Sequence, residues 1–386
     1  MSIDSAKVVV VGGGVSGLSS AWWLARAGVD VILVEKGIVG WEASGRNGGI
    51  CTDRSDEPEA FPLALEAIKL WHTLEEELGH PTEFAPGVIR VALDEGTMTA
   101  TLRAQERYEK LGIDTEILDG ETIREMLPII SPRVLGGVFS PMAGHANPQR
   151  TSQAYAWALQ DLGGRIYQHT TVTGFNVTGD RVTAVKTDRG TISTEFVVSA
   201  AGPQTGVMAE MVEAFVPVAP ARVEIIVTAP LPLMFSGAII GYGLYGRQTK
   251  RGNLAYGGGP HEWIDVGLAS PNKPNTPLVR NIAKRVGELL PGAKGARVIR
   301  SWAGVVEKTP DHLPIIDFLP SPKNFIVITM SANGFGTSPA TGKAVSELVL
   351  HGKSSIDISA LKLDRFAGVA RGWREERRWD SGQYNT

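Results

Sequence analysis

Cysteine is nearly missing from this chain: Cys51 is the only one among 386 residues. An internal disulfide framework is therefore excluded, and the usage fits a reducing compartment. An excess of one charge is missing as well. Thirty-eight Lys and Arg stand against 41 Asp and Glu, a net charge of −3 that offers no basic surface to nucleic acid. No stretch is long and apolar enough for a membrane span, and Met1–Val11 lacks the basic start of a secretory signal. The cytoplasm is the expected location. Repeats and low-complexity segments are absent, and no metal site is expected. The cluster Arg371–Trp379 departs from the even charge distribution; it suits a solvated end, or docking on a partner subunit or a membrane surface. Hydrophobic residues at 43% and charged residues at 20% are ordinary for a globular protein, and the length argues for two domains.

Against this plain background one motif stands out. The run Val8–Val11 empties into Gly12-x-Gly14-Val15-Ser16-Gly17, a helical pattern follows to Gly28, and Val31–Val34 stops on Glu35 and Lys36. This order predicts a strand, a phosphate-cradling turn, a helix, a second strand and an acid at its carboxyl end. Gly12 permits the tight turn, Gly14 lets backbone approach a pyrophosphate, and Gly17 lets helix and strand pack. The helix start then offers free N–H groups and a positive dipole end to the phosphates. A carboxylate at Glu35 accepts from ribose hydroxyls and repels a 2′-phosphate, which argues against NADP.

Further along, the periodicity predicts helices over Ala64–Leu78, Thr99–Leu111, a stretch opened by Asn147-Pro148, and one opened by Thr276-Pro277. Arg165–Ser199 reads as a three-stranded meander with turns at Gly179-Asp180 and Arg189-Gly190. Arg222–Ala229, Ala238–Arg247 and Asn253–Gly258 read as strands of a second sheet that roofs a substrate pocket.

The chain then returns to its nucleotide domain more than once. The strand Glu195–Ser199 runs into Ala200-Ala201-Gly202, and Phe325–Thr329 runs into Asn333-Gly334-Phe335-Gly336-Thr337, before a helix expected over Ala340–Leu350. Such returns suit a large, enclosed cofactor. Gly334 and Gly336 let backbone approach a planar ring, and the helix start behind them can stabilise negative charge on a reduced flavin. The loop from Gly40 to Gly49, which contains Ser44-Gly45-Arg46-Asn47-Gly48-Gly49, is too small and polar to build a core but can wrap a cofactor. Flavin is thus favoured over nicotinamide.

Taken in order, these motifs, with Gly144-His-Ala-Asn-Pro148 and Trp302-Ala-Gly304 through Thr309-Pro-Asp311, resemble the D-amino-acid oxidase superfamily of FAD-dependent oxidoreductases, nearest its sarcosine oxidase β, opine oxidase and proline dehydrogenase β type. The resemblance implies an α/β fold: a Rossmann-like FAD domain assembled from residues 1–86, 145–216 and 301–386. An α+β substrate domain with a mixed or antiparallel sheet is implied from residues 87–144 and 217–300. It places FAD, held non-covalently, against the residues named above together with Val172, Ala201, Gly202 and Gly304. Glycine-oxidase-like members carry a carboxylate-anchoring arginine where this chain has Val306, followed by Glu307 and Lys308. An α-carboxylate therefore needs another anchor, such as Arg222, Arg247 or Lys308, or the substrate lacks one. The start of the Pro148 helix carries no histidine beyond His145, so a second covalent flavin is not expected.

The implied reaction moves a hydride from the carbon bearing an amine to flavin N5, and the imine then hydrolyses. The substrate is an amine or amino acid; the electron acceptor is oxygen or another redox carrier. Partner subunits or a homo-oligomer are compatible with the resemblance. Tyr242, Tyr256 and Arg247 are the candidates for orienting substrate, with Glu307 and Asn333 beside the ring. Three other readings stay open at this level: a nicotinamide-dependent reductase, oxidation of a hydroxyl substrate on the same fold, and a flavin-binding subunit without chemistry of its own.

Overall fold

The computed structural model describes residues 2–52, 57–269 and 273–384. The chain opens with β1 (Ser2–Val11), α1 (Val15–Arg26) and β2 (Val31–Val34), followed by the short β3 (Ile50–Cys51) and by α2 (Phe61–Leu78). A first excursion holds β4 (Ala85–Ala92), α3 (Glu95–Glu109), β5 (Glu116–Asp119), α4 (Gly120–Met126) and β6 (Gly136–His145). The chain returns through α5 (Pro148–Asp161), β7 (Arg165–Tyr167), β8 (Val172–Thr178), β9 (Arg181–Thr187), β10 (Gly190–Ser199) and α6 (Thr205–Glu210). A second excursion holds β11 (Ala219–Pro230), β12 (Ala238–Gly241), β13 (Leu244–Gln248), β14 (Asn253–Gly258), β15 (Glu262–Trp263), α7 (Thr276–Leu289) and β16 (Val298–Lys308). Then follow β17 (Ile315–Phe318), β18 (Phe325–Thr329), α8 (Gly334–His351) and α9 (Trp373–Glu376).

These strands form two sheets. The first has the order β17-β18-β10-β1-β2-β7, with β8 and β9 joined beside β10. β1 runs parallel to β2 and β10, β18 parallel to β10, and β7 parallel to β2. The valine-rich runs lie between two apolar layers, as strands of a parallel sheet must. Val8 and Val10 pack with α1, α2, α5 and α8; Val9 and Val11 pack with β8, β9 and α6. The second sheet has ten strands and is antiparallel except where β12 meets β4. Ile123 of α4 and Ile282 and Val286 of α7 cover one of its faces. Among the described residues, no helix is long and apolar enough to cross a membrane.

Three expectations differ from the structure, each for a local reason. Arg165–Tyr167 leaves the meander and pairs with β2, so the meander is β8-β9-β10 alone. Ala238–Arg247 is not one strand but the hairpin of β12 and β13, turned at Tyr242 and Gly243 with φ of 56° and 65°. Two positive φ values in a two-residue turn match the right-handed twist of the flanking strands, and here tyrosine accepts one of them. Finally, α8 begins at Gly334 rather than after Pro339. The proline removes an N–H from the helix interior, and the Ser338 hydroxyl donates instead to Phe335 O at 2.9 Å.

Close approach of α1 to α8 ties the amino-terminal turn to the carboxyl-terminal helix. A Cβ at Gly342 would lie 2.2 Å from Ser19 Oγ and 2.6 Å from the Ser19 carbonyl carbon. Replacing a mid-helix glycine by alanine ordinarily stabilises a protein by about 1 kcal/mol. Here the sign reverses: Gly342→Ala is expected to lower stability by about 1–3 kcal/mol through overpacking, read as a lower urea midpoint.

Candidate active site

Parallel register brings five chain segments to one edge. Tyr167, Val34, Val11, Ser199 and Val327 stand level across the first sheet, and the cleft lies just beyond their carboxyl ends. Its empty volume, open mouth included, is about 1150 Å³. Gly12, Gly14, Val15, Ser16, Glu35, Lys36, Ser44, Asn47, Val172, Ala201, Gly202, Gly334 and Phe335 all line it.

At the β1 end, Gly12 has a φ of +107°, and a Cβ there would lie 2.4 Å from Ala200 O. Only glycine lets the β1 and β10 turns touch in this way. Glu35 is folded under the turn: Oε2 accepts from Gly13 N at 2.7 Å and Oε1 from Gly37 N at 2.7 Å. Each oxygen retains a lone pair for a ribose hydroxyl. Lys36 Nζ donates to Leu268 O at 2.9 Å, reaching a loop of the second excursion that also lines the cleft.

The loop after β2 is fastened rather than free. Ser44 Oγ accepts from Val15 N, the first residue of α1, at 2.9 Å. Asn47 donates to Ala43 O and Ser44 O at 3.1 and 2.8 Å, and its Oδ1 accepts from Gly49 N at 2.7 Å. Arg46 donates to Ala303 O at 3.0 Å, and Trp302 Nε1 returns a bond to Arg46 O at 2.9 Å. Gly304 has its Cα face against Ala43 and Arg46, and Gln149 donates to Gly45 O at 2.7 Å. The loop thus joins the dinucleotide turn to β16 of the roof.

At the far end of the cleft α8 starts without a side-chain cap, although Asn333 holds the cap position. Its first N–H groups have no partner within the helix and face the region lined by Gly334 and Phe335. Trp71 donates to Gly336 O at 2.7 Å, and Thr337 Oγ1 donates to Asn333 O at 2.8 Å. The residues present fit FAD in this sequence: acceptors for ribose at Glu35, a helix start and glycine turn for pyrophosphate, and a second helix start for the ring. The buried Glu42 Oε2, without a partner among the described residues, adds an acceptor at the wall.

Over the loop lies the second sheet, and its register decides which side chains face inward. Ile225, Tyr245, Gly257 and Trp302 stand in one row; Val227, Arg247 and Ala255 stand in the next. The Tyr245 ring rests against Gly48 and Gly257, where added Cβ atoms would lie 3.0 and 2.9 Å from it. Its hydroxyl makes no hydrogen bond with a described residue, and burial holds its pKa above the usual value, so it stays a phenol. Arg247 is only 6% exposed; its Nε donates to Gly48 O at 3.2 Å, and no carboxylate among the described residues pairs with it. Burial lowers its pKa, yet a guanidinium stays charged.

The other candidates fall elsewhere. Tyr256 stands one residue out of phase with Gly257 and so lies in the opposite layer with Ile282 and Val286. Tyr242, at the hairpin turn, donates to Glu288 of α7 at 2.8 Å and does not line the cleft. Glu307 lines the cofactor cleft, beside Gly202 and Met330. Val306 also lines the cleft and packs toward Ala221 and Trp263. Arg222 is committed to Glu262 and, at 3.4 Å, to Glu224, in the layer beside α7. Tyr245 was not among the sequence candidates, although it stands two residues from Arg247 on the same strand and so shares its face. His145, buried beside Arg247, has its pKa pushed down to about 4 by desolvation and is neutral. Burial pushes the Cys51 thiol well up, leaving it protonated and a poor nucleophile.

Glu35→Ala would strip the acceptor from two backbone N–H groups and from the ribose. A loss of FAD affinity of roughly ten- to a hundredfold is expected by fluorescence titration, with little change in secondary structure by circular dichroism.

Comparison with known proteins agrees with this geometry. The model of the DAO family, described as FAD dependent oxidoreductase, matches residues 7–348. The sarcosine oxidase subunit beta of Arthrobacter sp is 29% identical over 376 residues, spanning 94% of this chain and 91% of that one. The glycine oxidase of Geobacillus kaustophilus is 28% identical over 378 residues, spanning 94% and 97%. The crystal structure of L-proline dehydrogenase from P. horikoshii superposes with a TM-score of 0.87 at 25% identity, covering 97% of this chain and 99% of that one. With its five strand ends closing on a dinucleotide-shaped cleft, the chain belongs to the DAO family of FAD-dependent oxidoreductases.

Proposed function

We propose that the chain oxidises an amine that carries a carboxylate, an α-amino acid or its N-alkyl derivative, at the carbon bearing nitrogen. The observation that carries this reading is Arg247: a buried cation that forms no ion pair with a carboxylate among the described residues, with Glu83 the carboxylate whose charge it feels, on the roof face that looks onto Gly48 and Gly49. An unpaired buried charge is costly, and a substrate carboxylate relieves that cost. The guanidinium presents a planar fork that suits bidentate recognition.

Bound FAD supplies the two-electron acceptor for the C–H bond. The chain's own residues hold the substrate against it. Arg247 fixes the carboxylate, and the Tyr245 phenol donates a second hydrogen bond to the same end. Val306, an apolar residue where an anchoring arginine stands in glycine-oxidase-like sequences, leaves this task to Arg247. No general base is required when the amine enters neutral. We assign residues 1–86, 145–216 and 301–386 to cofactor binding and 87–144 and 217–300 to the roof, with β16 (Val298–Lys308) reaching across that limit.

The names of the Arthrobacter and Geobacillus relatives, a sarcosine oxidase subunit and a glycine oxidase, support small amino-acid substrates. The word subunit in the first also supports a place for this chain beside partner chains.

A test compares carboxylated amines with the same amines lacking the carboxylate, such as sarcosine with dimethylamine, by anaerobic bleaching of the flavin. The carboxylated member should be preferred. Arg247→Met should raise its KM roughly thirtyfold or more while leaving kcat within a few fold, and Arg247→Lys should recover part of the loss. An unchanged KM in Arg247→Met defeats the assignment. Tyr245→Phe should lower kcat/KM for the carboxylated substrate by roughly tenfold, checked by the same steady-state assay.

A further inference from the structure

Glu307 has one oxygen occupied and one to spare. Oε1 accepts from Met330 N at 2.9 Å and from Thr329 Oγ1 at 3.1 Å, two bonds that fix the carboxyl plane. No other described residue donates a hydrogen bond to Oε2, which lies 3.8 Å from where a Cβ on Gly202 would stand. The residue is 8% exposed, and that remaining exposure is to the cofactor cleft, whose wall it forms. Burial raises its pKa, and a buried oxygen without a donor is costly.

Position along the cleft tells which part of the cofactor passes this oxygen. Gly202 follows Ala200, whose carbonyl touches Gly12 in the phosphate turn. Met330 leads through Ser331 and Ala332 into the start of α8, at the ring end. Glu307 therefore stands between the pyrophosphate turn and the ring end. The segment of FAD that spans this interval is the polyol chain, whose hydroxyls are donors.

We propose that Glu307 is a cofactor-holding residue: its free oxygen accepts a hydrogen bond from a hydroxyl of the polyol chain of FAD. The role rests on the cleft being the FAD site and is independent of the substrate. In the glycine-oxidase-like pattern the neighbouring position carries the carboxylate anchor, so this stretch of β16 turns from holding substrate to holding cofactor.

The test separates the polyol chain from the nucleotide. Full-length wild type, Glu307→Gln and Glu307→Ala are titrated with FAD and with ADP, which has the adenosine and pyrophosphate but no polyol. Glutamine keeps an oxygen for Met330 N while placing an amide where the acceptor stood, so the fold is preserved and only the outward contact changes. FAD affinity should fall roughly ten- to a hundredfold in both variants, with ADP affinity unchanged within about twofold. Unchanged FAD affinity in Glu307→Gln overturns the proposal. So does a parallel loss of ADP and FAD, which would put the carboxyl at the pyrophosphate or make it merely structural. A wild-type chain that binds ADP but not FAD would instead sink the reading of the cleft, a different failure with a different signature.

Discussion

Parallel pairing of β7, β2, β1, β10 and β18 is the constraint on which the site depends. Parallel strands in register must all end on the same edge, and their following turns are then forced together. Turns as distant in sequence as Gly12 and Met330 become neighbours because Val11, Ser199 and Val327 are level. The alignment also collects helix starts: α1 behind the glycine turn and α8 behind Met330, each with first N–H groups that have no partner within the helix. An elongated anionic ligand ending in a ring that accepts negative charge matches such an edge.

The roof depends on a different regularity, the two-residue alternation of an antiparallel sheet. One face of β13 and β14 carries Leu244, Gly246 and Tyr256 into the apolar layer beneath α7, and the other carries Tyr245, Arg247 and Gly257 toward the loop after β2. Displacing the strand by one residue would bury Arg247 among isoleucines and leucines. The small residues Gly48 and Gly257 leave room for the Tyr245 ring, and the Gly48 carbonyl gives the Arg247 guanidinium its only hydrogen bond among the described residues. The arginine thus stays buried and charged.

Much of this was legible in the sequence where a local signal had a single physical meaning. Val8–Val11 before Gly12, Glu35 after Val34, and Gly202 and Gly334 after apolar runs each mark a strand end, and each lines the cleft. The second sheet was legible as strands but not in phase. Reading Ala238–Arg247 as continuous concealed the turn at Tyr242, because tyrosine is not the residue a positive φ suggests. Tyr242 was put forward on that reading; Tyr256 was put forward, and Tyr245 passed over, because the pairing of Tyr256 with Gly246 and of Tyr245 with Gly257 is a register that sequence does not show. Glu307 was legible as a departure from a familiar pattern, but its direction depends on the twist of β16 and on Met330, far away in sequence. Leu268 gave no signal at all, since it reaches the cleft only through a loop path that tertiary contacts determine; Glu42 was legible only as a member of the loop 40–49.

The most direct test of the account is the FAD content of purified full-length protein. The account predicts a yellow protein that holds one FAD per chain and releases it intact on denaturation, as expected of a cofactor gripped by backbone turns and hydrogen bonds. A folded but colourless chain that takes up no FAD when it is supplied would contradict it.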